Sequence, residues 1–310
     1  MHAQCTQVRP TTGGTIGMAM YFAMDEGNVA EQSQKLETLL KELPDGLYCY
    51  ALVDDSFDYQ RRKIWQSKAS WPLYHLQDWG ELREVSPRLI ELHPDNLQDL
   101  QRLLRHCKGR PMLSFLTSQL SAPALRDAWQ RSLNATTEDG QWYVVRFADT
   151  RIAASLPQVL ATAAWQRLCE PVEQWLIIDR HSQLRALPMP PKTLPPDAQD
   201  PWLLSTPEFT ALMQAAQADV LADQLHEGFS DLLPSSGAVL HGWLQRTADL
   251  LAEHHIEDAP EQLTVAVAVC YSEGRLLDDQ LLRQALAQPD PGKRVDLLAQ
   301  LLEPAQSVST

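Results

Sequence analysis

Three aspartates have the placement that hydrolytic chemistry would need. Asp54 and Asp55 close the apolar run Tyr50-Ala-Leu-Val-Asp-Asp-Ser56, and Asp149 closes Tyr143-Val-Val-Arg-Phe-Ala-Asp149. In open α/β sheets ligands bind beyond the carboxyl ends of strands, where two or three carboxylates can hold a divalent cation for hydrolysis or phosphoryl transfer. Asp54, Asp55 and Asp149 are therefore the site of a metal-dependent hydrolase if the chain is one. The same residues have a structural reading. A strand-end aspartate accepts backbone N–H groups, caps the next helix, or pairs with an arginine such as Arg146. Aspartate is common at strand ends and turns, so spacing alone favours that second reading.

Other chemistry-bearing patterns are incomplete. Gly13-Gly14-Thr-Ile-Gly17 follows no strand and lacks the Lys-Ser/Thr of a phosphate loop, and Lys293 in Pro-Asp-Pro-Gly-Lys-Arg lacks the first glycine of one. His254 and His255 are adjacent, whereas a helical zinc site needs histidines four apart with a glutamate between them. No Gly-x-Ser-x-Gly elbow occurs, and Cys49 and Cys270 lie in apolar runs, where cysteine acts as a small hydrophobe. The sequence assigns no catalytic residue, no metal ligand, no cofactor-binding residue and no cofactor.

The elements that would position these residues alternate between helix and strand. Asn28 to Leu43 carries Val29, Leu36, Leu39, Leu40 and Leu43 on one face, with Asn28 and Glu31 at capping-box spacing. Pro44-Asp45-Gly46 stops it, and residues 47 to 53 read as a buried strand. Residues 72 to 77 and 88 to 92 read as short extended pieces. A helix from Pro94 presents Leu97, Leu100, Leu103, Leu104 and Cys107, and residues 112 to 116 form another strand. A helix opening at Ser121 follows, then a strand over 142 to 147 and a helix over 155 to 168, with Pro157 in its first turn. Residues 172 to 179 and 183 to 187 complete a hairpin. This pattern predicts an α/β (α+β) N-terminal lobe with a mixed sheet, combining parallel crossovers with antiparallel pairs.

Five prolines between Pro188 and Pro196 then form a stiff connector, beyond which every segment is helical in pattern. The first of these helices opens at Thr206-Pro207-Glu208 and carries Phe209, Leu212, Met213, Ala216 and Val220. The expected organisation is a flexible extension over 1–27, an α/β domain over 28–187, a proline-rich linker over 188–205, and an all-helical, acidic C-terminal lobe over 206–310.

Charge narrows the partners. Residues 1–187 hold 20 basic and 22 acidic side chains, and residues 188–310 hold 6 and 18, so the net charge of −14 divides into −2 and −12. Such a surface repels phosphate backbones and anionic lipid, which argues against nucleic acid and membrane and for a basic protein partner. Five scattered cysteines without a Cys-x-x-Cys pair fit a reducing, cytoplasmic setting. No apolar run is long enough to span a bilayer, and the opening residues lack the basic start and apolar core of a signal peptide.

Six ordered stretches carry a resemblance. These are YALVDDS (50–56), WPLYHL (71–76), ELREVSPRLIEL (81–92), PMLSFLTS (111–118), GQWYVVRFADTR (140–151) and VEQWLIID (172–179). Together they resemble the type VI secretion effector-chaperone (Tap or TEC) adaptors over about residues 47–187. Thr150 stands where that family usually has proline, and Ser86 stands where it has glycine before Pro87. Both departures concern turn chemistry.

The resemblance implies a non-enzymatic, cytoplasmic adaptor of a Gram-negative bacterium. Such a protein binds one toxic effector and helps load it onto the VgrG spike, with no small-molecule substrate. It also implies a scaffold signature of Asp54, Pro87, Arg146 and Asp149. Trp71, Tyr74 and Trp79 are candidate partner-binding anchors, because interfaces favour such side chains at their centres. Packing at a sheet edge is their alternative role.

Overall fold

The computed structural model describes residues 21–59, 69–75, 79–191 and 202–302. Helix α1 (Val29–Lys41) leads into β1 (Tyr48–Val53), followed by β2 (Ser70–Pro72), β3 (Arg88–Leu92), α2 (Leu97–Cys107) and β4 (Leu113–Ser118). Next come α3 (Ala122–Ala128), β5 (Asn134–Thr137), β6 (Trp142–Val144), α4 (Thr150–Val159) and α5 (Thr162–Cys169). The lobe closes with the hairpin β7 (Gln174–Ile178) and β8 (Leu184–Ala186). The six-stranded sheet has the order β2-β3-β1-β4-β7-β8.

Every pair in that sheet is antiparallel, so the parallel crossovers expected from the alternating pattern do not occur there. The single parallel pair among the described residues joins β5 to β9 (Leu203–Leu204), in a mixed three-stranded sheet ordered β6-β5-β9. Alternating sequence elements signalled parallel crossovers because helices cover both faces of the large sheet, which is the arrangement that βαβ units usually produce. Along β1, Tyr50 and Leu52 pack into one layer with α3, α4 and α5. Cys49, Ala51 and Val53 pack into the opposite layer with α1 and α2. With both faces covered, the strand reads as a continuous apolar run, and each fully buried large aliphatic contributes roughly 1.5–3 kcal/mol.

Pro157 lies near the end of α4, not in its first turn as the pattern suggested. The Asp149 side chain caps the helix by accepting from Arg151 N, so the helix starts earlier. It ends at Val159, and α5 is a separate helix.

The second lobe comprises α6 (Thr206–Gly228), α7 (Gly237–Glu253), α8 (Ala259–Tyr271), α9 (Gln280–Leu286) and α10 (Pro291–Leu302). Ser205 and Glu208 close a reciprocal capping box at the start of α6. Phe209 and Leu212 on its first half pack against the first lobe, whereas Ala218, Leu221, Ala222 and Leu225 enter the helical core. Met213 and Val220, expected on the inner stripe, are exposed because the helix changes partner midway.

The lobes exchange segments, which redraws both expected boundaries. Ala23, placed in a flexible extension by sequence, is buried in the helical core, and Tyr21 stacks on His226 at 4.3 Å. A Cβ on Gly237 would lie 2.2 Å from the Met24 backbone nitrogen, so this position accepts only glycine where the strap crosses. Conversely Trp202 and Leu204, placed in the linker, fill the core of the first lobe. Residues 1–20 and the proline-rich stretch 192–201 lie outside the described residues.

Candidate functional site

The strand-end aspartates enter a chain of alternating charge that runs from β1 to α6. Asp54 follows β1 and caps the short turn Asp55–Asp58: its Oδ1 accepts from Ser56 N at 2.9 Å, and its Oδ2 accepts from Arg146 Nη2 at 2.9 Å. Arg146 also donates to Ser56 Oγ at 2.6 Å and lies 3.9 Å from Asp149 Oδ2. Asp149 accepts from Arg151 Nε at 3.1 Å and Nη2 at 2.8 Å. Arg151 in turn lies 3.7 Å from Asp219 on α6, which Arg180 clamps with two hydrogen bonds of 2.8 and 2.7 Å. Phe57 and Phe22 cover the network: the Arg151 guanidinium stands 5.7 and 5.3 Å from their ring centres.

The neighbouring carboxylates are engaged in the same way. Asp55 accepts from Arg88 Nε at 2.6 Å, while Asp58 meets Arg110 Nη1 at 2.8 Å and His106 Nε2 at 2.7 Å. Burial alone would push the Asp58 carboxyl up, but the His106 and Arg110 bonds outweigh it and hold the group below the usual carboxylate range. Burial also opposes ionisation of Asp219, and Arg180 overcomes it. A carboxylate held ionised by a guanidinium is a weak proton acceptor, so these groups are poor general bases. Asp54, Asp149 and Asp55 accept hydrogen bonds from Arg146, Arg151 and Arg88, in that order. Among the described residues no three His, Cys, Asp or Glu side chains gather closely enough to hold a metal. Burial pushes the Cys49 thiol up instead, to about 12, which makes it a poor nucleophile.

Pro87 is buried and its carbonyl accepts from Leu73 N at 2.9 Å. Ser86 Oγ accepts from Tyr74 N and donates to Pro87 O, both at 3.0 Å. Its φ of −60° requires no glycine, and the hydroxyl supplies a loop-closing bond that glycine could not make. Thr150 is similarly useful, because its N–H donates to Pro111 O at 2.9 Å and proline has no such donor.

Two of the three aromatic anchor candidates are corrected. Tyr74 and Trp79 are only 6% and 5% exposed, stacked on each other at 4.3 Å within the first lobe's core. Their rings stabilise the sheet edge and are not presented to a partner. Trp71 is half-buried on the edge strand β2, where it lines a groove of about 320 Å³ with Ile90 and Leu103.

Residues 49–167 match the family model described as "Domain of unknown function (DUF4123)". No curated protein matches the chain, and no solved structure does. The DUF4123 match covers less than half of the 310 residues and ends before β7, so Arg180, Asp219 and the helical lobe fall outside it. No helix among the described residues is long and apolar enough to cross a membrane.

Between the lobes lies a cleft of about 430 Å³, lined by Ser155 and Gln158 of α4, Arg185 of β8, and His241 and Gln245 of α7. Burial, followed by the nearby Arg180 charge, lowers the His241 pKa from its ordinary 6.5 to about 4. The unfolded chain therefore protonates this imidazole at higher pH than the folded chain does. Stability from this group is full above pH 6.5 and declines as pH falls towards 4. Asp58 and Asp219 act lower, because their folded values lie below the ordinary 3.8. His241→Gln is expected to flatten the fall in melting temperature between those two pH values, measured by thermal unfolding in a pH series.

Proposed function

We propose that this chain is a cytoplasmic adaptor that binds one toxic effector of a type VI secretion system and helps load it onto the VgrG spike. The observation that carries this reading is the fate of the motif residues. Five of the six stretches that resemble effector-chaperone adaptors lie within the DUF4123 match, and the charged side chains Asp54, Asp55, Arg88, Arg146, Asp149 and Arg151 within them bond to one another and hold the scaffold. That is the economy of a binding platform, in which binding surfaces carry the function and strand-end carboxylates fix the frame. The acidic lobe supports a protein partner, since charge complementarity governs specificity and association rate.

The test is deletion of the chain in its own cell. The expected result is loss of delivery of one effector while the secretion machine continues to deliver others, with delivery restored by the full chain supplied in trans. Unchanged delivery of every effector would refute the proposal. Calorimetric titration with Mg²⁺ and Mn²⁺ addresses the hydrolase alternative: an adaptor gives no specific heat of binding that Asp54→Asn removes.

A further inference from the structure

The helical lobe carries an open groove of about 600 Å³, lined by apolar and polar side chains together, between the 230–236 segment, α7 and the end of α8. Leu232 and Leu233 form one wall, half-buried, and Val239 and Tyr271 form the others, 42% and 58% exposed. Trp243 sits one helical turn from Val239 on the same face of α7. Its indole is fixed from behind by Gly274, whose φ is +77° and whose hypothetical Cβ would lie 2.5 Å from the indole nitrogen. A rigid tryptophan beside an exposed tyrosine and aliphatics is the composition of an interface centre. Asp231 and Glu273 stand on the rim, within a lobe whose residues 188–310 carry 18 acidic and 6 basic side chains.

We infer that this groove receives a basic, amphipathic segment of the effector, its apolar side seated on Val239, Trp243 and Tyr271. This rests on the adaptor reading and adds to it the location and chemistry of the contact. The apolar floor supplies affinity, and the surrounding negative field selects against acidic segments and accelerates encounter with basic ones. Nucleic acid and anionic lipid are excluded by the same field.

The test uses the full chain and two synthetic helical peptides of about 18 residues with leucines at i, i+3, i+4 and i+7, one filled out with lysine and the other with glutamate. Binding is read by anisotropy of the labelled peptides. The lysine peptide is expected to bind about tenfold more tightly than the glutamate peptide. Val239→Glu and Tyr271→Ala should each weaken it about fivefold at unchanged melting temperature, while Met213→Glu, at an exposed position outside the groove, leaves it unchanged. Val239→Glu is the discriminating variant. A merely electrostatic attraction would be strengthened by the added carboxylate, and that result overturns the proposal, as does equal binding of both peptides. A dimer of the chain alone in sedimentation, dissolved by Tyr271→Ala, also overturns it, because the groove would then belong to a second copy. A chain that delivers its effector but fails these peptide criteria loses only the groove. A chain whose deletion changes no delivery loses the adaptor reading, whatever the peptides do.

Discussion

Arg146→Ala is expected to destabilise the fold more than Asp54→Ala, although the two substitutions break the same ion pair. The Asp54 and Asp149 side chains are 2% and 1% exposed, whereas Arg146 is 41% exposed. Removing the arginine leaves Asp54 a buried carboxylate with only the Ser56 N–H to support its charge, and this costs about 2–3 kcal/mol. The figure lies below that for fully buried pairs, because water reaches the arginine's position and Arg151 still serves Asp149. Removing Asp54 leaves a guanidinium that can turn into solvent, and the loss is chiefly the cap on the 55–58 turn, about 1 kcal/mol. The double variant should be less destabilised than the sum of the singles, since without Arg146 the carboxylate is itself a liability. Urea denaturation of the four proteins measures this. Equal losses for the two singles, or strict additivity, would show that the Asp54–Arg146 bond does not couple the two residues in the folded state.

What the sequence revealed and what it hid divide along physical lines. The continuous apolar run of β1 and the 3.6-residue stripes of α1 and α2 are local signals, and Leu36, Leu100 and Leu104 occupy the core as their spacing requires. The hairpin about residues 180–182 was equally plain from its turn residues. Strand direction was not local. Helices on both faces are compatible with parallel or antiparallel pairing, and only the order β2-β3-β1-β4-β7-β8 decides between them. The segments that cross between the lobes were hidden for a related reason: Ala23 and Trp202 are ordinary residues in unremarkable contexts, and nothing local marks the lobe into which each packs.

The charge network was half legible. Asp54 and Asp149 close predicted strands and Arg146 lies three residues before Asp149, so a pairing among them followed from residue type and position. Asp219 stood in the middle of a long helix with no flanking pattern, and Arg180 read as a turn residue. Their meeting depends on how α6 lies against α4 and the β7–β8 hairpin, a contact between lobes that no local period encodes. Tyr74 and Trp79 show the converse error. Closely spaced aromatics suggest an interface, but the side chains that make good interface anchors also make good cores, and burial alone separates the two.

Asp219→Ala should therefore act on the relation between the lobes. The carboxylate is 16% exposed and takes two bonds from Arg180, itself 20% exposed, with Arg151 3.7 Å away. Without it, two guanidiniums confront each other at the seam with no acceptor between them, so the loss of attraction is compounded by repulsion. The expected cost to lobe docking is about 3 kcal/mol, the low end for a buried pair because both arginines keep some solvent. Asp149 continues to hold Arg151, which directs the damage to Arg180 and the β7–β8 turn. Each lobe retains its own core, so the variant is expected to unfold in two thermal transitions and the native chain in one. Asp219→Asn, which keeps one acceptor and the shape, should fall between. If an effector bridges both lobes, delivery should fail at temperatures where circular dichroism still reports both lobes folded. A single transition with unchanged cooperativity in Asp219→Ala would mean that the strap at residues 21–25 and the Trp202 segment hold the lobes together without the charge chain.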